Sequence, residues 1–119
     1  MRLAARHADS WLTYGPYDAQ PSHAEWLGAV ERQNRAFTDV LERTAPRRRV
    51  RRIVQVALDR TDLFASAHAY QRTCEALAAA EFDEISVHRP RRDGRGVPAR
   101  RVDDVLAAHP RPAVATVRA

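Results

Sequence analysis

The chain has 119 residues, of which 45% are hydrophobic, and a formal net charge of +5. These values predict one globular domain without a membrane-spanning helix, and the first residues lack the apolar stretch of a signal peptide. All 20 basic residues are arginine; this composition is typical of a GC-rich coding sequence, so we do not take the charge as evidence of nucleic-acid binding. The single cysteine, Cys74, excludes an internal disulfide and favours the reducing cytoplasm.

The first part of the chain predicts a helix, a strand and a longer helix. Leu3–Ala8 places small apolar residues on one helical face, and Trp11–Tyr14 follows as a strand. Ser22 and Glu25 have the S-x-x-E spacing of a capping box, in which each side chain accepts from the other residue's backbone N–H. Apolar residues at helical spacing continue to about Thr44 and predict the longest helix. The members of this stripe are Trp26, Leu27, Val30, Asn34, Phe37 and Leu41.

Two further strands and two further helices are predicted downstream. Ile53–Leu58 is almost continuously apolar, which predicts a parallel strand covered on both faces. A helix with Ser66 as its N-cap extends to about Ala80, Asp83–His88 alternates as a third strand, and Arg100–His109 predicts a last helix. The regular alternation of helices and strands predicts an α/β fold with a parallel sheet.

The end of the chain is expected to add nothing to this sheet. Its sequence, HPRPAVATVRA, contains two prolines, which interrupt regular structure. We therefore assign residues 1–110 to the folded domain and expect residues 111–119 to form a loose tail.

Two stretches resemble one protein family. Near the start, RLAARHADSWLTYG is similar to the segment of luciferase-like monooxygenases in which a helix of the form LAARYADGW leads into a barrel strand. Downstream, SAHAYQRTCEALAAAEFDEISVHRPR resembles the ending of the same family, a Ser-started helix followed by AGxDE and an apolar strand. The two stretches occur in the order that the family has, and together they cover Leu3 to Arg92.

The resemblance implies a partial (β/α)8 TIM barrel, of which this chain would supply the last three units with parallel strands, since a whole barrel takes about 250 residues. It further implies a bacterial flavin- or F420-dependent oxidoreductase that transfers hydride to, or oxygenates, a small organic substrate. The cofactor would be FMN or coenzyme F420. The other strands would come from an N-terminal barrel portion, or the chain would form a homo-oligomer. The sequence departs from the family pattern at Ser10 and Glu81, where the family has glycine.

In such a barrel the chemistry lies at the carboxyl ends of the strands. The resemblance therefore implies that Trp11, Thr13 and Tyr14 line the cofactor pocket and that His88 and Arg89 contact a substrate or a phosphate. Trp11 is equally compatible with a core aromatic, and the pair His88–Arg89 with a charged strand end. We assign no catalytic residue.

Other charged and metal-binding residue types carry weaker signals. Asp59 and Arg60 are expected to form a solvated loop pair. The arginine-rich run at 47–52 is expected to be a solvated turn at the opposite end of the strands, not a nucleic-acid site. The histidines and Cys74 lack the spacing of metal ligands, so no metal site is predicted. Two alternative functions remain open: a non-enzymatic remnant or companion chain that completes a barrel with another polypeptide, and an arginine-rich nucleic-acid-binding protein.

Overall fold

A computed structural model describes residues 1–16, 22–56, 60, 62–88, 93–94, 98–108 and 115–118. Helices and strands alternate along the whole of it. In chain order the elements are α1 (Arg2–His7), β1 (Ser10–Thr13), α2 (His23–Thr44), β2 (Arg51–Gln55), a 3-10 turn (Asp62–Phe64), α3 (Ala67–Ala79), β3 (Glu84–Val87), α4 (Ala99–Ala108) and β4 (Ala115–Arg118). The predicted α/β class is confirmed, and each predicted helix or strand begins within two residues of its expected start.

The strands form one sheet in the order β1-β2-β3-β4, and every neighbouring pair is parallel. Leu12 pairs with Ile53, and Val54 pairs with Ile85. The prediction that the first three strands lie parallel in one sheet is therefore confirmed. Each crossover between neighbouring strands contains one helix, as parallel pairing requires.

The fourth strand corrects the expectation for the tail. Ala115–Arg118 is not loose but pairs in parallel with Glu84–Val87. The segment contains the β-branched residues Thr116 and Val117, which favour strands. Two β-branched residues that follow two prolines are too weak a local signal to predict a strand. The remaining tail residues lie outside the described part of the chain.

The N-terminus of α2 has the predicted capping box. Ser22 Oγ accepts from the N–H of Glu25 at 3.3 Å, and the N–H of Ser22 donates to Glu25 Oε2 at 2.7 Å. Hydrogen bonds to the Glu25 carboxyl, first from the backbone N–H of Ser22 and then from its side chain, hold the pKa of that carboxyl below its ordinary value. At the start of α3, Ser66 Oγ accepts from the N–H of Ala69 at 3.0 Å, so the second predicted N-cap is confirmed as well.

The helices all pack on one face of the sheet. Side chains alternate along each strand, and Val54 and Ile85, which are fully buried, join the core formed by α2, α3 and α4. Ala5 of α1 joins a smaller cluster with Phe37 of α2. The side chains of Leu12 and Ile53 lie on the other face of the sheet. Leu12 is 39% exposed, and Ile53 is half-buried. Among the described helices, cover is found on only one face of β2, whereas the sequence predicts cover on both.

The helix α3 ends at a residue in the left-handed conformation. The N–H of Phe82 donates to the carbonyl of Leu77 at 3.0 Å, and the N–H of Glu81 donates to the carbonyl of Ala78 at 3.0 Å. This pair of bonds is a Schellman motif, which needs a left-handed residue at its centre. Glu81 takes that conformation, with φ at 64°, although its Cβ makes it unfavourable.

Candidate functional site at the carboxyl edge of the sheet

The strands of a parallel sheet end at a common edge. Three polar or aromatic residues lie at this edge, on the face of the sheet that the described helices do not cover. Gln55 is the last residue of β2, and its side-chain Nε2 lies 3.4 Å from His88 Nε2, just after β3. Tyr14 follows the last residue of β1 and, because Thr13 pairs with Val54, lies level with Gln55. Tyr14 is 48% exposed and His88 is also exposed. We call Tyr14, Gln55 and His88 the carboxyl-edge cluster.

Gln55 was not among the residues predicted from the sequence. The signal was present, since it is the one polar residue between Ile53 and Leu58. A polar side chain in an apolar strand either finds a buried partner or faces an open surface. The expectation that both faces of the strand are covered favours a buried partner for Gln55, so it does not mark Gln55 as a residue at an open surface.

Thr13 has a structural contact instead of a place in this cluster. Its side chain is 7% exposed and points to the helices, where Oγ1 donates to the side-chain oxygen of Gln33 on α2. Thr13 Oγ1 also accepts a hydrogen bond from the backbone N–H of Gly15, with a nitrogen–oxygen distance of 3.3 Å. Thr13 thus fastens the end of β1 to α2 and is not brought together with Tyr14.

Trp11 also lies on the helix side of the sheet. Its ring stacks on that of Phe37 with a centroid distance of 4.5 Å and an interplanar angle of 5°. This placement agrees with the alternative of a core aromatic. Arg89, the remaining predicted residue, lies outside the described part of the chain.

The turn after β1 holds Tyr14 at the edge. The indole Nε1 of Trp26, which is 2% exposed, donates to the carbonyl of Tyr14 at 2.9 Å. Gly15 follows with φ at 80°, and a Cβ there would lie 2.9 Å from Trp26 and 3.0 Å from Val30. Only glycine fits both the conformation and the space. The first turns of α2 therefore fix the backbone that presents Tyr14.

A series of polar contacts on the other side of Trp26 stabilises the same turn. The Arg60 guanidinium lies over Trp26, 5.3 Å from the ring centroid, and pairs with Asp62 at 3.0 Å. Asp62 Oδ2 lies 3.2 Å from His23 Nδ1, and His23 Nε2 lies 2.9 Å from Thr73 Oγ1 on α3. The side chain of Arg60 is only 11% exposed. The expectation of a solvated loop is wrong for Arg60, since its charge is paired and desolvated.

Asp59, its expected partner, lies outside the described residues. The contacts of Arg60 with Trp26 and Asp62 connect the segment after β2 to the N-terminus of α2 and the 3-10 turn. These contacts hold the turn after β1 in place. Thr73 is only 1% exposed and is therefore too deeply buried to contact a ligand.

The arginine-rich run lies at the opposite, amino edge of the sheet, and most of it is engaged within the fold. Arg48 donates to the carbonyl of Ala8 at 2.9 Å, beyond the end of α1. Arg49 pairs with Asp83 at 3.1 Å. The run includes a turn, and Arg49 keeps 89% of its side chain exposed, so the expectation of a solvated turn holds for that residue, whereas Arg48 is partly covered and joins the run to α1.

The two arginines that open β2 are engaged in the same way. Arg51 pairs with Glu84 at 2.9 Å. Arg52, with 12% of its side chain exposed, donates to Thr38 Oγ1 at 2.7 Å and lies over the ring of Phe37. Burial of a charged side chain is favourable only with such partners, which accounts for the contacts of Arg52; Arg51 keeps 58% of its side chain exposed.

A cleft of about 530 Å³ opens at this amino edge. Arg48, Arg49 and Arg52 line it together with the carboxylates of Glu81 and Asp83. The two carboxylates pair with Arg49 and Arg52, so ion pairs line much of the cleft and offset part of the arginine charge.

Within the described ranges, no group of three or more His, Cys, Asp and Glu side chains is placed to hold a metal ion, and no helix is long and apolar enough to span a bilayer. Comparison with protein-family models, with curated proteins and with solved structures finds no match to the chain. The fold and the carboxyl-edge cluster are therefore the features of the chain that bear on its function.

Proposed function

We propose that the chain supplies consecutive units of a (β/α)8 barrel and works as part of a luciferase-like flavin- or F420-dependent oxidoreductase. One observation carries the proposal: four parallel strands follow one another in chain order, with the helices on one face. In doubly wound α/β folds the strand order reverses and helices cover both faces. In a barrel the order is sequential, and the bare face is the one that closes on the lumen.

The residues of the carboxyl-edge cluster suit a planar redox cofactor in kind. The Gln55 amide offers both a donor and an acceptor, and the His88 ring offers either one according to its tautomer. Both suit the polar edge of a flavin or deazaflavin ring, and the exposed ring of Tyr14 offers an aromatic surface to pack against it. The bound cofactor would supply the hydride chemistry. The protein groups would bind and orient the ring beside a small organic substrate.

A binding titration tests this proposal on the purified chain. FMN and F420, each oxidised and reduced, are titrated by fluorescence, with and without an added N-terminal portion of a luciferase-like barrel. We expect binding to require a closed barrel, because the described strands form only part of the pocket wall. Gln55→Ala and His88→Ala should each weaken the binding by about fivefold, the equivalent of one lost hydrogen bond.

Arg47→Ser is the matched control, since this exposed residue lies at the amino edge of the sheet. It should leave cofactor affinity unchanged. No binding of any of the four cofactor forms in either format would contradict the proposal. Binding that Gln55→Ala and His88→Ala leave unaltered would place the cofactor elsewhere and would also contradict it.

A further inference from the structure

We propose that two copies of this chain associate edge to edge, β1 of each beside β4 of the other, and close an eight-stranded parallel barrel. The inference depends on the fold and not on the redox chemistry proposed above. The occupant of the bare sheet face and of both sheet edges is a second copy of this chain, related to the first by a two-fold axis along the barrel.

The number and direction of the elements fit this closure. The described chain contributes four parallel strands and four α-helices, and each strand is preceded by a helix. Two copies supply the eight strands and eight helices of a complete barrel. A two-fold axis along the barrel keeps all strands parallel, so β4 of one copy meets β1 of the next with the polarity that pairs β1 with β2.

Exposed apolar side chains are concentrated at the β1 edge. The large hydrophobic residues that stay exposed in the described chain are Met1, Leu3, Leu12 and Tyr14, on or beside α1 and β1. Leu3 is 79% exposed, whereas Ala5 on the same helix is fully buried against α2. An apolar patch at one place on a small protein marks an interaction surface. In the closed dimer α1 covers the seam between β1 and the partner's β4.

The backbone of β1 is also open for pairing. The N–H of Arg51 donates to the carbonyl of Asp9 at 3.0 Å. Because alternate residues of a strand bond to opposite sides, Trp11 and Thr13 bond toward β2. The N–H and carbonyl of Leu12 point out from the edge. Such an edge readily pairs with another chain, and barrel closure removes it.

Closure would give one barrel mouth two carboxyl-edge clusters. Each copy contributes one set of Tyr14, Gln55 and His88, related by the two-fold axis. An association that buried the bare faces against each other without closing a ring would instead block both clusters.

Sedimentation equilibrium of the purified chain at tens of micromolar measures the first consequence. We expect twice the chain mass of 13.5 kDa. Leu12→Pro removes the outward N–H while the bonds to β2 remain, so this variant should be monomeric. Leu12→Ala keeps that N–H and is the matched control; it should remain a dimer, although a weaker one. A native chain that stays monomeric, or a Leu12→Pro variant that dimerises as well as Leu12→Ala, would overturn the inference.

Crosslinking decides the geometry, and it remains informative if Leu12→Pro does not fold. Leu12→Cys and Val117→Cys are made as separate single variants, mixed, and treated with a short bis-maleimide. Each copy carries only one engineered cysteine, so a linked pair of the two variants reports contact between copies. The native thiol, Cys74, is buried at 1% exposure and should remain unmodified.

The closed barrel predicts efficient crosslinking of the mixture and little of either variant alone, because the two-fold axis places identical strands on opposite sides of the ring. Efficient crosslinking of Leu12→Cys alone would show β1 paired with β1 and would overturn the inference. The inference would also be overturned if the chain associated only with an added N-terminal barrel portion and not with a second copy of itself. Either result leaves the cofactor titration as an independent test of the proposed function.

Discussion

Replacement of Glu81 by glycine should stabilise the protein. Glu81 holds the left-handed position of the Schellman motif with φ at 64°, and a residue with a Cβ pays about 1–2 kcal/mol for this conformation. Glu81→Gly relieves that strain. It also loses the contact with Arg52 at 3.5 Å, in which the glutamate is 75% exposed, and such a pair contributes at most about 1 kcal/mol. We expect a net gain of about 0.5–1 kcal/mol, or about 2–5 °C in Tm.

Urea unfolding followed by circular dichroism measures the change, with two controls. Glu81→Ala loses the ion pair but keeps the Cβ, so it should be neutral or slightly destabilising. Glu75→Gly, on the exposed surface inside α3, should destabilise by about 1 kcal/mol, which shows that glycine has no general benefit in this helix. If Glu81→Gly is no more stable than Glu81→Ala, the left-handed cap is not the source of strain and the reasoning is refuted.

Three further predictions concern single residues. Gly15→Ala should cost about 2–4 kcal/mol in urea unfolding, because its Cβ would meet Trp26 at 2.9 Å with φ at 80°. Hydrogen bonds from Ser22 lower the pKa of Glu25 from 4.5, so its stabilising contribution is lost as the pH falls through the folded pKa; Glu25→Gln should therefore lose less Tm than the native chain between about pH 6 and about pH 3. Burial raises the pKa of the Cys74 thiol, so Ellman's reagent at about pH 8 should modify it only after urea unfolding.

The order and direction of the first three strands could be predicted because local signals agreed with the tertiary structure. The Ser22 capping box fixes the start of α2, and the Ile53 run can only be a strand in that context. The fourth strand could not be predicted, since a segment of four residues gains its stability from pairing with β3 and not from local preference. Residue type at Ala115–Arg118 carries little of that information.

The site was harder to predict than the fold, because it depends on which face of the sheet is covered. Trp11 and Tyr14 look alike as aromatic residues of one strand, yet strand alternation directs Trp11 to Phe37 and Tyr14 to the open edge. Gln55 became recognisable only when β2 was seen to have a bare face. The contact of Arg60 with the Trp26 ring is long-range and cannot be predicted from neighbouring residues, although its ion-pair partner Asp62 is only two residues away.

Arg52 at the amino edge and His88 at the carboxyl edge should respond differently to mutation, since Arg52 is largely buried among its partners and His88 is exposed. Arg52→Ala removes the donor to Thr38 at 2.7 Å and the cation over Phe37, so it should cost about 1–3 kcal/mol of unfolding free energy. His88→Ala removes an exposed ring whose contact with Gln55 is 3.4 Å long, and its stability should stay within about 0.5 kcal/mol of the native chain. Urea unfolding of both variants checks this contrast. If His88→Ala proves as destabilising as Arg52→Ala, the carboxyl-edge cluster is a structural element, and its exposed polar groups would no longer argue for a ligand.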